Sequence, residues 1–187
     1  METKTIYFEQ PGPQNTRRTL QLAKERAEQL GITDVVLASY TGDTGVKALQ
    51  LFSGYNLIVV AGVVGFRGKN KVDMIYENQS LIEHNGGKIL FAGHAFGMLG
   101  RAVHRKFGAL QVDEVIAHVL RLFGQGVKVG CEIVCMATDA GLIKSDQEVI
   151  AIAGSAKGAD TALVVKASNT HTFFDTRILE IICKPRA

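Results

Sequence analysis

Apolar and polar positions recur along this chain with two periods, one helical and one extended. Leu20, Ala23, Ala27 and Leu30 fall at helical spacing, Pro-Gly-Pro and Asn15 precede them and Gly31 follows, which predicts a helix over 16–30 capped by Asn15. Valine-rich runs at 34–39 and 56–61 predict buried strands, with a turn over 40–45 and a short helix to about Phe52 between them. A helix near 72–85, stopped by Gly86-Gly87, leads to a strand at 88–92, and another helix follows from about 95 to 107. Val112, Val115, Ile116, Val119 and Phe123 then form one stripe, interrupted at Gly124 and Gly126. The helix expected over 128–140 is apolar almost all round, which predicts burial. Strands are expected at 148–153, 161–166 and 178–183, and the short link between the first two predicts an antiparallel return instead of a helical crossover.

This alternation predicts an α/β fold: a three-layer αβα domain with a mainly parallel, doubly wound sheet and antiparallel strands at its end. With 187 residues, the chain suits one domain over 1–187. Its longest apolar runs, such as 57–64, fall short of the roughly 20 residues a membrane helix needs, and its start has no signal-peptide profile. Cys131, Cys135 and Cys183 make no C-x-x-C pair, so a reducing, cytoplasmic setting is expected and no metal is. A net charge of +3 is too weak a field to argue for nucleic acid.

In a parallel α/β sheet the strand-to-helix loops gather along one edge, where ligands bind. Ser39-Tyr40-Thr41-Gly42-Asp43-Thr44-Gly45 lies between a strand and a helix start. Gly42 and Gly45 allow close backbone approach, Ser39, Thr41 and Thr44 offer hydroxyls, and a helix start offers N–H groups to an anion. Asp43 is acidic, suited to capping the helix or holding a sugar hydroxyl. The same residues also make an ordinary capped turn for local reasons alone. Gly154, Ser155, Gly158, Asp160 and Thr161 form a second glycine- and hydroxyl-bearing segment at that edge, a phosphate wall or a flexible hairpin loop.

Those two segments resemble the sugar-phosphate loop and the glycine-rich loop of the pyruvate kinase C-terminal domain; the catalytic barrel of that enzyme is absent. Over nearly the full length the chain is similar to a stand-alone archaeal and bacterial family with a pyruvate-kinase-C-terminal-like fold. The residues that carry this likeness are Tyr7-Phe8 to Pro11-Gly12, Asn15-Thr16, Gly42-Asp43-Thr44, Met136 to Gly141, Gly158 to Ala162, and Phe173-Phe174-Asp175 to Pro185-Arg186. The resemblance implies flavin mononucleotide (FMN) as the bound cofactor, with no established reaction, and self-association as a homo-oligomer. Asn15, Gly65 and Phe66 join the two loops as implied cofactor contacts. Val63-Val64 stand where relatives tend to carry histidine, so no acid–base role transfers there.

A flavin also needs an apolar wall, for which Val63, Val64, Phe66, Phe96 and Met98 are candidates; core packing is the plainer reading of each, with Phe66, in a loop between Gly65 and Arg67, the best exception. His94, after a strand at the same edge, is a candidate acid, base or phosphate contact, with a capping or surface role as the plainer reading. Arg67, Lys69 and Lys71 could close over an anion or simply be solvated. No catalytic residue is identifiable. Two functions follow: a flavin-dependent redox enzyme, or a non-catalytic sensor binding a sugar phosphate or nucleotide.

Overall fold

The computed structural model describes residues 2–186. Its strands are β1 (Ile6–Phe8), β2 (Asp34–Ala38), β3 (Asn56–Val60), β4 (Lys88–Leu90), β5 (Glu148–Ala153), β6 (Thr161–Lys166) and β7 (Arg177–Pro185). Its helices are α1 (Thr16–Leu30), α2 (Asp43–Leu49), α3 (Tyr76–His84), α4 (Met98–Phe107), α5 (Val112–Arg121) and α6 (Gln125–Asp139). All seven strands form one sheet in the order β1-β7-β6-β5-β2-β3-β4. The run β5-β2-β3-β4 is parallel, and so is β1 with β7; β6 is antiparallel to both its neighbours.

Period-two alternation in the strands creates the layers. Val35, Leu37, Leu57, Val59, Ile150 and Ile152 face one core with Leu20, Ala23 and Ala27 of α1, Ala48 of α2 and Ile82 of α3. Val36, Ile58, Val60, Val149 and Ala151 face the other with Val127, Ile133, Val134, Met136 and Ala137 of α6. Helices therefore cover both faces, and α6 is buried on nearly every side, as its composition predicts. After β2 the chain steps outward through β3 and β4, then crosses by α4, α5 and α6 to enter β5 on β2's other flank. That reversal sits between β2 and β5.

Several local expectations change. Asn15 does not cap α1: its side chain donates to the Gln10 carbonyl at 2.7 Å, and a 3-10 turn over Pro13–Asn15 leads into the helix. β1 was not predicted, because three residues carry no readable period and its partner is the distant β7. α3 and α4 begin at Tyr76 and Met98, later than expected; Ile75 is extended and Gly97 has φ 144°. Gly124, at φ 122°, makes the break before α6, while Gly126 lies inside that helix. At the end of α6, Asp139 accepts hydrogen bonds from the Asn169 side chain and from both the amide and hydroxyl of Thr170.

Candidate functional site

The loops after β2, β3 and β4 open at the same edge of the sheet as the start of α6, because α6 must run back to the opposite edge to enter β5. Tyr40, Gly62, Phe66 and His94 come from the three loops; Arg101, Arg121 and Lys128 come from α4, α5 and α6. Together they line a pocket of about 180 Å³ whose base includes Ala38, Val60, Ile133 and Met136. Tyr40 turns back over the strand ends, and only glycine fits beneath it: a Cβ on Gly62, at φ 87°, would lie 2.6 Å from the Tyr40 ring.

Polar and aromatic groups in the pocket contact each other directly. The Tyr40 hydroxyl and His94 Nε2 share a hydrogen bond of 2.9 Å. Phe66 meets the His94 ring edge-on at 5.0 Å between centroids, and the Arg101 guanidinium lies 5.2 Å from the Phe66 centroid. Lys128 and Glu132, one turn apart on α6 and both buried, form an ion pair, and the second Glu132 oxygen accepts the Phe96 amide at 3.1 Å. Burial pushes the His94 pKa down; Glu132 pulls it up, while Lys128 and Arg101 lower it further. Burial also lowers Lys128 against the upward pull of Glu132, and raises Tyr40 with Glu132 adding to the effect. At neutral pH the imidazole is therefore uncharged.

Arg101 and Arg121 form no ion pair among the described residues; Arg121 donates only to the Gln125 side chain, at 2.8 Å, and Arg101 to the Gly97 carbonyl, at 3.4 Å. Glu132 already balances Lys128. The pocket thus holds two guanidinium groups without an ion-pair partner, Arg101 feeling only the more distant charge of Glu114, and such groups bind oxyanions in forked geometry.

The two loops singled out in the sequence are arranged differently. Ser39 Oγ accepts the amides of Thr44 at 3.2 Å and Gly45 at 3.4 Å, so the first turn of α2 is capped by its own chain. Thr41 donates to Asp43, and the Asn78 side chain donates to both Asp43 and the Thr41 carbonyl. Gly42, at φ 88°, is closed over by Asn78 and Met74. In the second loop Asp160 is fully buried and accepts the amides of Gly12 at 3.0 Å and Ser155 at 3.2 Å and the Thr161 hydroxyl at 2.9 Å. Gly158 packs against Pro13 and Thr16, and Gly154 against the Gly158 carbonyl. No hydrogen bond among the described residues joins the two loops, although β2 and β5 are neighbours.

Gly65 donates its amide to the Lys71 carbonyl at 2.8 Å within the loop after β3. Of the implied cofactor contacts Phe66 lines the pocket, as does His94, the candidate acid, base or phosphate contact. Phe96, a ring-wall candidate read more plainly as core, is buried against Phe173 at 5.0 Å. Arg67 pairs with Asp73 and lies 5.5 Å from the Tyr40 ring centroid. Arg101, Arg121, Lys128 and Glu132 escaped the sequence reading. One signal was available for the last two: opposite charges one turn apart on a helix otherwise fit for burial need each other.

No protein-family model matches the sequence. Among the described residues, no helix is long and apolar enough to cross a membrane, and no group of three His, Cys, Asp or Glu side chains is placed to hold a metal ion.

Proposed function

We propose that this chain binds a phosphate-bearing small molecule at the C-terminal edge of its sheet, in the pocket between Tyr40, Phe66, His94 and the α4–α6 helices. The observation that carries this reading is the pair of unpaired guanidinium groups, Arg101 and Arg121, converging from two helices on one concave site. The pyruvate-kinase-C-terminal-like resemblance makes FMN the first candidate. The side chains fit its chemistry: Tyr40, Phe66 and His94 offer ring faces and edges for an isoalloxazine, and the arginines offer charge for a phosphate. When bound, a flavin supplies electron-transfer chemistry; the chain's own residues would orient it and keep water from its ring.

Size favours a second reading. At about 180 Å³ the pocket is smaller than the roughly 300–1,000 Å³ that encloses most drug-sized ligands. A sugar phosphate fits such a volume, whereas FMN would extend across the mouth beneath the loop after β3. A sensor of sugar phosphates, without turnover, is therefore the alternative. The three free, buried cysteines support a cytoplasmic placement for either.

Calorimetric titration with FMN, ribose 5-phosphate and inorganic phosphate separates these readings. Arg101→Ala and Arg121→Ala should each weaken binding of the phosphorylated ligand by about 10-fold or more, the loss of one charge-assisted contact. Unchanged affinity in both variants rejects the pocket as the anion site, and tight binding of riboflavin itself rejects the phosphate as the recognised group.

A further inference from the structure

One group in the pocket between Tyr40, Phe66, His94 and the α4–α6 helices can change its charge near neutral pH. His94 shares its Nε2 with the Tyr40 hydroxyl, while its Nδ1 is bonded by no described residue. No buried side-chain nitrogen or oxygen among the described residues lacks a partner, so Nδ1 stands open to solvent. The pocket is otherwise faced by Tyr40 from the loop after β2, Arg101 from α4, Arg121 from α5, and Lys128 with Glu132 from α6. Arg67, in the loop after β3, is paired with Asp73 and lies by the Tyr40 ring. Three cations in the lining therefore stand against one carboxylate, and Lys128 senses both arginines. In that field, and half-buried, the imidazole stays neutral.

We propose that this pocket takes up a dianionic oxyanion together with one proton, which settles on His94 and makes the imidazolium a third contact beside Arg101 and Arg121. The inference rests on the reading of the pocket as an anion site and adds to it the charge of the ligand and its dependence on pH. A double negative charge offsets the excess of cations that opposes a proton on the ring, and at Nδ1 it lies nearer to the ring than they do. Tyr40 serves both states. Its hydroxyl donates to Nε2 of the neutral ring and accepts from Nε2–H of the cation, and burial keeps the phenol protonated. That hydrogen bond therefore survives the change, and the Nδ1–H of the cation is free to meet the anion. An opposite charge within about 4–6 Å moves a pKa by roughly 1–3. By reciprocity, protonation tightens the anion by the same factor, about 10-fold or more.

Inorganic sulfate is the probe, because it stays doubly charged from pH 8 to 5.5 and any proton taken up must land on the protein. Calorimetric titration of the full chain at pH 6.5, in buffers of differing ionisation heat, should show proton uptake. Affinity should rise about 10-fold from pH 8 to 5.5. His94→Gln, which keeps a hydrogen-bonding partner for Tyr40, should bind sulfate with no uptake and no such rise. If that variant fails to fold, the ring resonances of His94 in the wild type supply the answer: their titration midpoint should move up in saturating sulfate. Sulfate that binds, is weakened by Arg101→Ala and brings no proton overturns this inference and leaves the anion site standing. Uptake retained in a folded His94→Gln places the proton elsewhere and overturns it as well, as does a His94 midpoint that sulfate leaves unmoved. Absence of sulfate binding at every pH overturns the site and the inference together.

Discussion

His94 sits in a pocket where burial, two cations and one carboxylate act on its ring, and burial dominates. The folded protein therefore holds the imidazole neutral at a pH where the unfolded chain, titrating near 6.5, already takes up a proton. The His94 contribution to stability should be flat above neutrality and fall as pH drops through about 6.5 toward the lower folded value, because the unfolded state then binds more protons. Denaturation followed from pH 8 to 5.5 should show a shallower decline in His94→Gln than in the wild type; equal slopes would mean that the ring is not held neutral. This residue was visible in the sequence as a histidine after a strand at the ligand edge, but its environment was not. Tyr40, Phe66, Glu132, Lys128 and Arg101 reach it from four separate segments, and only tertiary structure states that. The Ser39–Gly45 turn shows the converse limit. Its residue types suit an anion and suit self-capping equally, and the fold adds what composition cannot: Ser39 Oγ accepts the amides of Thr44 and Gly45.

At the scale of elements, the legible parts were those with their own period. β2, β3, β5 and β6 announce themselves by dense valine, isoleucine and alanine, and the antiparallel return from β5 to β6 follows from the shortness of the link. β1 and the starts of α3 and α4 were illegible because pairing and loop geometry decide them, not periodicity. Gly126 is an instructive case. In sequence it looks like a breaker, yet it is buried in the first turn of α6, where a Cβ would lie 2.1 Å from Thr161 Oγ1 and 2.4 Å from Thr161 Cβ. The glycine lets the helix carrying Lys128 and Glu132 seat directly on the start of β6. Gly126→Ala should cost about 1–3 kcal/mol through overpacking, measured by urea denaturation, and should loosen the pocket as well. An alanine variant of wild-type stability would show that this contact is slack.

Over the whole molecule, apolar burial reaches all three cysteines. Burial pushes Cys131 to about 12 and Cys135 and Cys183 to about 11, so thiolate is scarce at ordinary pH. Reaction with a chromogenic disulfide at pH 8 should be negligible in the native protein and should appear in step with loss of secondary structure; fast labelling of any one cysteine would show that its layer opens locally. The pairing of β1 with β7 reaches further. Residues 6–8 bond to residues 183–185, and the Gly12 amide is satisfied by Asp160, 148 positions later. During synthesis residues 6–8 must therefore wait, unpaired, until residues 183–185 have been made, while the β2-β3-β4 unit can assemble from local contacts. The edge of β7 that β1 covers is therefore open throughout that interval, an unpaired strand edge of the kind a chaperone shields.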